Sequence, residues 1–225
     1  MNIIASFLLT NYSYPFWKYS EKPNVVEYSN KWANSVKRLG LDYIIFTDEH
    51  QTLQNTKTVL KLNKTNQIDE RWRIAFNYLK ENNNVEYFFM TDISDVTVLK
   101  NPFENIDKDK IYVGDEKTIV DNEWLMTRVR MINNNQCTEA IEKAKQKTLL
   151  NCGLFGGHRN TILPVIEEIA NKLELYGIKD ETVDMVALNE VLYSKYEDKL
   201  IHGKPFNTDF WKWDMNNKEC VFQHK

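Results

Sequence analysis

The sequence predicts an α/β domain with a mostly parallel sheet flanked by helices. Short apolar runs alternate with segments whose apolar residues recur at helical spacing, and the first three of these form a strand–helix–strand unit. Two strands joined in this way pair in parallel through a right-handed crossover. The 225 residues, 42% of them hydrophobic, suit a single domain with a sizeable core.

The first unit comprises a buried strand at residues 2–9, a helix at 25–39 and a strand at 43–46. Gly40 ends the helix, because glycine commonly adopts the left-handed conformation that follows a last helical turn. Residues 59–62 predict a third, short strand.

The chain continues with a helix at residues 69–82 and a strongly apolar strand at 85–90. Later strands are predicted at 111–114 and 151–157, and later helices at 139–149, 161–176 and 184–194. Residues 115–130 are interpreted as a loop near a site, and the chain after Leu200 as irregular.

Composition argues against nucleic-acid binding, because 29 Lys and Arg against 32 Asp and Glu give a net charge of −3. No apolar run reaches the ~18 residues that a membrane helix needs. Residues 1–10 lack the basic start of a signal peptide. Three cysteines without metal-type spacing indicate reduced thiols. We therefore expect a soluble cytoplasmic protein, in the host cytoplasm if a virus encodes it.

The clearest chemical feature is Asp92-Ile93-Ser94-Asp95, which directly follows the strand at 85–90. Ligands of open α/β sheets lie beyond the carboxyl ends of strands. Burying unpaired carboxylates is costly, so this pair indicates a cation or a water-filled cleft. Hard oxygen ligands suit Mg²⁺ or Mn²⁺. The alternative is a loop with two solvated aspartates, one of them capping the next turn.

The wider stretch from Thr91 to Phe103, which ends in Asn-Pro-Phe, resembles the metal-binding segment of GT-A glycosyltransferases. The DxxD spacing is similar to that of the glycosyltransferase domain of procollagen lysyl hydroxylases and of related small bacterial or viral nucleotide-sugar transferases. It differs from the DxD of glycogenin-like enzymes, so Ser94 and Asp95 are both candidates for the second acidic position, and Asp95 is favoured.

This resemblance implies a single GT-A domain over residues 1–225 with a Rossmann-like sheet. Residues 1–100, approximately, would form the nucleotide-binding half, and 101–225 the acceptor half with a closing tail. The motif N-x-G-x-F-G-G resembles the strand beside the donor sugar, which implies donor contacts for Asn151, Gly153 and Gly157. A strand that simply ends in a glycine turn is the alternative.

Two further segments match the family in order. The helix that begins at Asp184 resembles its D-x-x-A-L-N-x-x-L-Y helix, which makes Asp184 the candidate catalytic base. An acid that merely favours the helix macrodipole is the alternative. His202 is the implied third metal ligand, which favours Mn²⁺ over Mg²⁺. Gly203 and Lys204 would then lie near the donor diphosphate.

Other donor-binding candidates are less specific. Arg71 or Arg73 would reach the donor phosphates or the first acid of the motif, although either is equally a solvated helix arginine. Four residues that follow the first two strands are candidates for nucleoside contacts: Thr10, Asn11, Tyr12 and Asp48.

The resemblance thus implies a metal-dependent glycosyltransferase, foremost a hexosyltransferase that uses a UDP-sugar and a glycan or glycoprotein acceptor. One alternative is a non-catalytic nucleotide-sugar binding protein of the same fold. A haloacid-dehalogenase-like phosphatase is less favoured, since its acids usually follow the first strand.

Overall fold

The computed structural model describes residues 1–9, 25–47, 55–58, 66, 68–209, 214 and 217–224. Its main sheet has seven strands in the order β3-β2-β1-β4-β7-β6-β8, and β5 and β9 form a separate pair. The strands are β1 (Asn2–Leu8), β2 (Tyr43–Thr47), β3 (Thr56–Thr58), β4 (Tyr87–Thr91), β5 (Val96–Val98), β6 (Ile111–Ile119), β7 (Thr148–His158), β8 (Leu200–Ile201) and β9 (Phe222–His224).

Six α-helices accompany the sheet in the described part of the chain. They are α1 (Val25–Lys37), α2 (Glu70–Glu81), α3 (Glu123–Ile132), α4 (Asn135–Ala144), α5 (Arg159–Tyr176) and α6 (Asp184–Lys195). Strands β3, β2, β1 and β4 are parallel, β7 runs antiparallel to β4 and β6, and β8 is parallel to β6. The predicted α/β class with a mixed, mostly parallel sheet flanked by helices is confirmed.

The sheet separates two hydrophobic clusters. One contains buried side chains of α2 to α6, and the other contains Trp32 of α1 with Phe206 and Phe222. Strand β1 serves both clusters, because its successive side chains point to opposite faces: Ile3 joins the first cluster and Ile4 the second. This two-sided burial explains why the central strands are apolar throughout.

The small β5–β9 pair lies beside the end of β4. Val96 pairs with His224 and Val98 with Phe222 in antiparallel register. The ring of Phe222 packs 5.6 Å from that of Phe89 in β4. The last strand is therefore held against the segment that follows β4.

The structure differs from the predicted elements at four places. Residues 123–132 form α3 instead of a loop, and the Asn122 side chain caps it by accepting from the N–H of Leu125. Helix α4 lies earlier than predicted, and β7 begins at Thr148, within the predicted helix. Two short strands, β8 and β9, follow residue 199 where none was predicted. Residues 59–62 lie outside the described residues, and the short third strand lies at 56–58.

None of the helices that the structure describes combines the length and the apolar character that crossing a bilayer requires.

Replacement of Gly156 by alanine should destabilise the fold. Gly156 pairs with Phe89, and an added Cβ would lie 2.2 Å from Phe89 Cδ1 and 2.5 Å from the carbonyl oxygen of Phe88. Overpacking of this kind costs about 1–3 kcal/mol, and backbone contact places G156A near the upper end. Urea unfolding should show this loss. L175A, at a side chain 65% exposed, should change the free energy of unfolding by less than about 0.5 kcal/mol. Equal stability of G156A and the unaltered chain would contradict the close approach of β4 and β7.

Candidate metal centre

The acidic motif begins where β4 leaves the sheet. The backbone N–H of Asp92 donates to the carbonyl oxygen of Gly153 at 2.9 Å, which holds Asp92 against β7. A turn follows, in which the Ser94 hydroxyl donates to Asp95 Oδ1 at 3.3 Å. The side chains of Asp92 and Asp95 are 35% and 34% exposed. Both carboxylates therefore border solvent while resting on the buried sheet.

A histidine from β9 completes the group. Because His224 pairs with Val96, it lies next to Asp95, and its Nε2 is 4.0 Å from Asp95 Oδ2. One ligand atom each from Asp92, Asp95 and His224 lie within 4.8 Å of one another. We call these three residues the acidic cluster.

The acidic cluster fits a small divalent cation. An octahedral ion about 2.1 Å from each ligand holds neighbouring ligand atoms about 3 Å apart, so the three side chains would close around it by inward shifts of roughly an ångström. Carboxylate oxygens suit Mn²⁺ and Mg²⁺, and the imidazole nitrogen favours Mn²⁺ between them.

The electrostatics of the acidic cluster agree with this fit. Burial and the neighbouring Asp92 carboxylate raise the pKa of Asp95 to about 7, because two close negative charges repel each other. Burial lowers the pKa of His224 to about 4, against the opposing effect of Asp92. At neutral pH the imidazole is uncharged and has a lone pair for a metal. A cation among these groups would relieve the repulsion between the carboxylates.

Gly153 makes the acidic cluster sterically feasible. A Cβ at this position would lie 2.5 Å from His224 Cε1 and 2.8 Å from Asp92 Oδ2. The register between β6 and β7 also shifts here, since Val113 pairs with Phe155 but Gly114 with Asn151. Gly153 was predicted as a donor contact, and the structure places it directly against the acidic cluster.

Arg71 of α2 supports the cluster from the protein interior. Its Nη1 donates to Asp92 Oδ1 at 2.6 Å, and its Nε donates to Asp184 Oδ2 at 3.1 Å, with Nη2 on the same oxygen. Burial lowers the pKa of the guanidinium, but Asp184 and Asp92 outweigh it and hold that pKa well above its ordinary value. Arg71 is therefore a permanent buried cation, and Asp92 Oδ2 remains for a metal.

Asp184 does not have the geometry expected of a catalytic base. It is 2% exposed, its carboxylate accepts from Arg71, and the Thr182 hydroxyl donates to its other oxygen at 3.2 Å. A base must reach an acceptor hydroxyl, and this carboxylate lies behind Arg71. The structure corrects the predicted role: Asp184 orients Arg71.

His202 lies away from the acidic cluster, which contains His224 in its place. Its Nδ1 is 2.9 Å from Asp115 Oδ2. The reason is topological: His202 follows β8, three strands from β4 in the sheet, whereas β9 pairs with the segment that follows Asp95. The prediction of His202 as the third ligand is corrected accordingly.

Of the remaining residues predicted to contact the donor, one lies near the acidic cluster and two lie near other acids. Asn151 is near the acidic cluster, where its Oδ1 accepts from the N–H of Gly153 at 2.6 Å. Gly203 lies near Asp115, since a Cβ added there would be 3.2 Å from Asp115 Oδ2, whereas Lys204 forms ion pairs with Asp209 and Asp214 at 3.1 and 2.9 Å.

Two other candidates point elsewhere. Arg73 bonds to Glu174 at 2.5 Å on the surface, so Arg71 alone of the two arginines reaches the motif. Gly157 pairs with Phe88, closer to the start of β4. Four candidates lie outside the described residues: Thr10, Asn11, Tyr12 and Asp48.

Sequence reasoning missed His224 and the Asp115–His202 pair. A three-residue strand carries too little periodicity to predict, and its partner lies over 120 positions earlier in the chain.

Comparison with known proteins adds no relative, because no protein-family model matches the chain and no curated protein matches it significantly. The geometry of the acidic cluster and the motif that precedes it in the sequence are therefore the basis for assigning a function.

Substitution of the two histidines should affect metal binding differently. H224Q removes a ligand and should weaken Mn²⁺ binding at least about tenfold, as titrated by electron paramagnetic resonance. H202Q should leave the affinity within about twofold, since His202 bonds to Asp115. A large loss in H202Q with none in H224Q would restore the sequence-based assignment.

Substitution of the two arginines of α2 should lower the free energy of unfolding by different amounts. R71M would leave the buried Asp184 and the partly buried Asp92 without their cation, and should cost about 3 kcal/mol in urea unfolding. R73M removes the surface pair with Glu174 and should cost less than about 1 kcal/mol. Similar losses in both variants would show that Arg71 is not the central cation.

Proposed function

We propose that this protein is a metal-dependent glycosyltransferase that transfers a sugar, foremost a hexose, from a nucleoside-diphosphate sugar to a glycan or protein acceptor. A UDP-sugar is the first donor to test. The observation that supports this most is the convergence of Asp92, Asp95 and His224 at the carboxyl end of β4. Two carboxylates that follow β4 and an imidazole of β9 meet there.

The charges of the site suit a diphosphate held through a cation. Asp92, Asp95 and Asp184 are three carboxylates, Arg71 is one guanidinium, and His224 is neutral. With all three acids ionised, two negative charges remain, which a divalent ion balances. Such an ion, when bound, stabilises the negative charge that grows on a departing nucleoside diphosphate.

Each side chain of the site has a separate role in holding the proposed ion and diphosphate. Asp92 and Asp95 are each about one-third exposed, which leaves room for phosphate oxygens beside them. His224 contributes a ligand from the buried side and is only 2% exposed. Arg71 fixes the orientation of Asp92 by occupying Oδ1 and leaving Oδ2. Preorganisation of this kind lowers the cost of rearrangement during the reaction.

Asp92 is poorly suited to act as the nucleophile of a phosphatase. Its Oδ1 accepts from Arg71 at 2.6 Å, and it follows the fourth strand along the chain. A protein that binds nucleotide sugars without turnover would use the same acidic cluster, so turnover is the measurement that separates it from a transferase.

The proposal predicts release of nucleoside diphosphate that depends on Mn²⁺. The protein is incubated with a panel of UDP-, GDP- and ADP-linked sugars, with water or simple glycans as acceptors. Released nucleotide is measured, and EDTA should abolish it. D95N keeps the side-chain shape but removes a ligand charge, and should lower the rate at least about 100-fold. D109N, at an exposed acid, is the matched control.

Release that persists in EDTA, or equal rates for D95N and D109N, would contradict the proposed function. Saturable binding of a donor without release would instead assign the protein to the binding class.

A further inference from the structure

A second polar group lies on the same sheet edge as the acidic cluster. His202 Nδ1 is 2.9 Å from Asp115 Oδ2, and the Asn207 side-chain amide donates to Asp115 Oδ1 at 2.7 Å. Asn207 Oδ1 in turn accepts from the N–H of Gly203 at 3.0 Å. Both oxygens of Asp115 are thus engaged, and we call Asp115 and His202 the dyad.

Strand register places the dyad at this edge. Asp92 leaves β4 beside Gly153 of β7, and Gly114 of β6 pairs with Asn151 of the same strand. Strand β8 is parallel to β6, with Ile201 opposite Tyr112, so His202 follows at the same end. Asp115 of β6 is two strand spacings, or about 10 Å, from β4, and His202, which follows β8 one spacing further, turns its ring back onto Asp115. A diphosphate together with one sugar ring can span the distance of about 10 Å between β4 and Asp115.

The hydrogen bond of the dyad determines the form of the imidazole. A carboxylate oxygen facing Nδ1 accepts a hydrogen bond from it, so in the neutral imidazole Nδ1 carries the proton and Nε2 the lone pair. The side chain of His202 is 31% exposed, which gives a ligand access to it. This arrangement orients a histidine for accepting a proton.

Other bases near this edge are already engaged among the described residues. Asp184 pairs with Arg71 in the interior, and Asp95 belongs to the acidic cluster. Glu116 Oε1 accepts from the Asn151 side-chain amide at 2.7 Å. His202 differs from these acids in being a partly exposed base that a buried-side carboxylate orients through its other ring nitrogen.

We propose that His202 is the general base that activates the acceptor hydroxyl and that Asp115 is its positioning residue. This inference rests on the proposed glycosyltransferase function. Nε2 takes the hydroxyl proton while the acceptor oxygen bonds to the anomeric carbon of the donor. The bond from that carbon to the phosphate oxygen breaks, and its electron pair leaves with the nucleoside diphosphate. A base opposite the leaving group makes the transfer inverting.

The test uses the full chain, Mn²⁺ and whichever donor of the panel releases nucleotide with water or a glycan. H202Q should lower kcat about 100-fold or more, with KM for the donor within threefold and Mn²⁺ affinity unchanged. D115N should lower kcat less, and added imidazole should partly restore the rate of H202A. H158Q, at the opposite end of β7, should stay within twofold of the unaltered protein.

Two readouts do not depend on rates. Nitrogen-15 chemical shifts of the His202 ring should report a protonated Nδ1, and D115N should shift the balance between the two tautomers. Proton NMR of fresh product should show the anomeric configuration opposite to that of the donor.

The outcomes separate this proposal from the one it rests on. If no donor releases nucleotide with the unaltered protein, the glycosyltransferase function fails. If the unaltered protein is active but H202Q keeps more than one-third of kcat, or the product retains the donor configuration, the dyad proposal alone is overturned.

Discussion

The buried guanidinium of Arg71 is the interaction on which the acidic edge of the sheet depends. It joins Asp92 at the end of β4 to Asp184 at the start of α6, two elements distant in sequence. Without a cation there, burial of Asp184 and the closeness of Asp92 would oppose folding. With Arg71 in place, the Asp92 carboxylate has a fixed orientation, in which Oδ1 accepts from Arg71 and Oδ2 remains for another ligand. The stability of the interior and the reactivity of the edge thus depend on the same side chain.

A second constraint acts from the solvent side. The β5–β9 pair has only three residues in each strand, and isolated pairs of this size are marginal in water. It persists because Phe222 packs among Phe89 and Phe206, with ring centroids 5.6 and 5.3 Å apart. This aromatic packing places His224 beside Asp95, so a hydrophobic contact positions the proposed metal ligand.

The two sites at this edge differ in chemistry in a way that suits one reaction. The acidic cluster concentrates negative charge, which suits the proposed cation, whereas the dyad offers an imidazole that a carboxylate orients. Strand β7 lies between them, where Gly153 has no side chain and the Asn151 side chain turns back to accept from the N–H of Gly153. In the proposed reaction, leaving-group stabilisation at β4 and proton removal at His202 would take place on different strands of the sheet.

The α/β class, the first parallel strands and the position of Asp92 and Asp95 after β4 were predictable from the sequence, because these features depend on local periodicity and on adjacent residues. The choice of histidine beside those acids, the inward turn of one arginine and the burial of Asp184 all depend on how distant elements pack. Arg71 and Arg73 are alike in the sequence, and so are His202 and His224. Their roles differ because strand register and helix packing bring together residues that no local pattern connects.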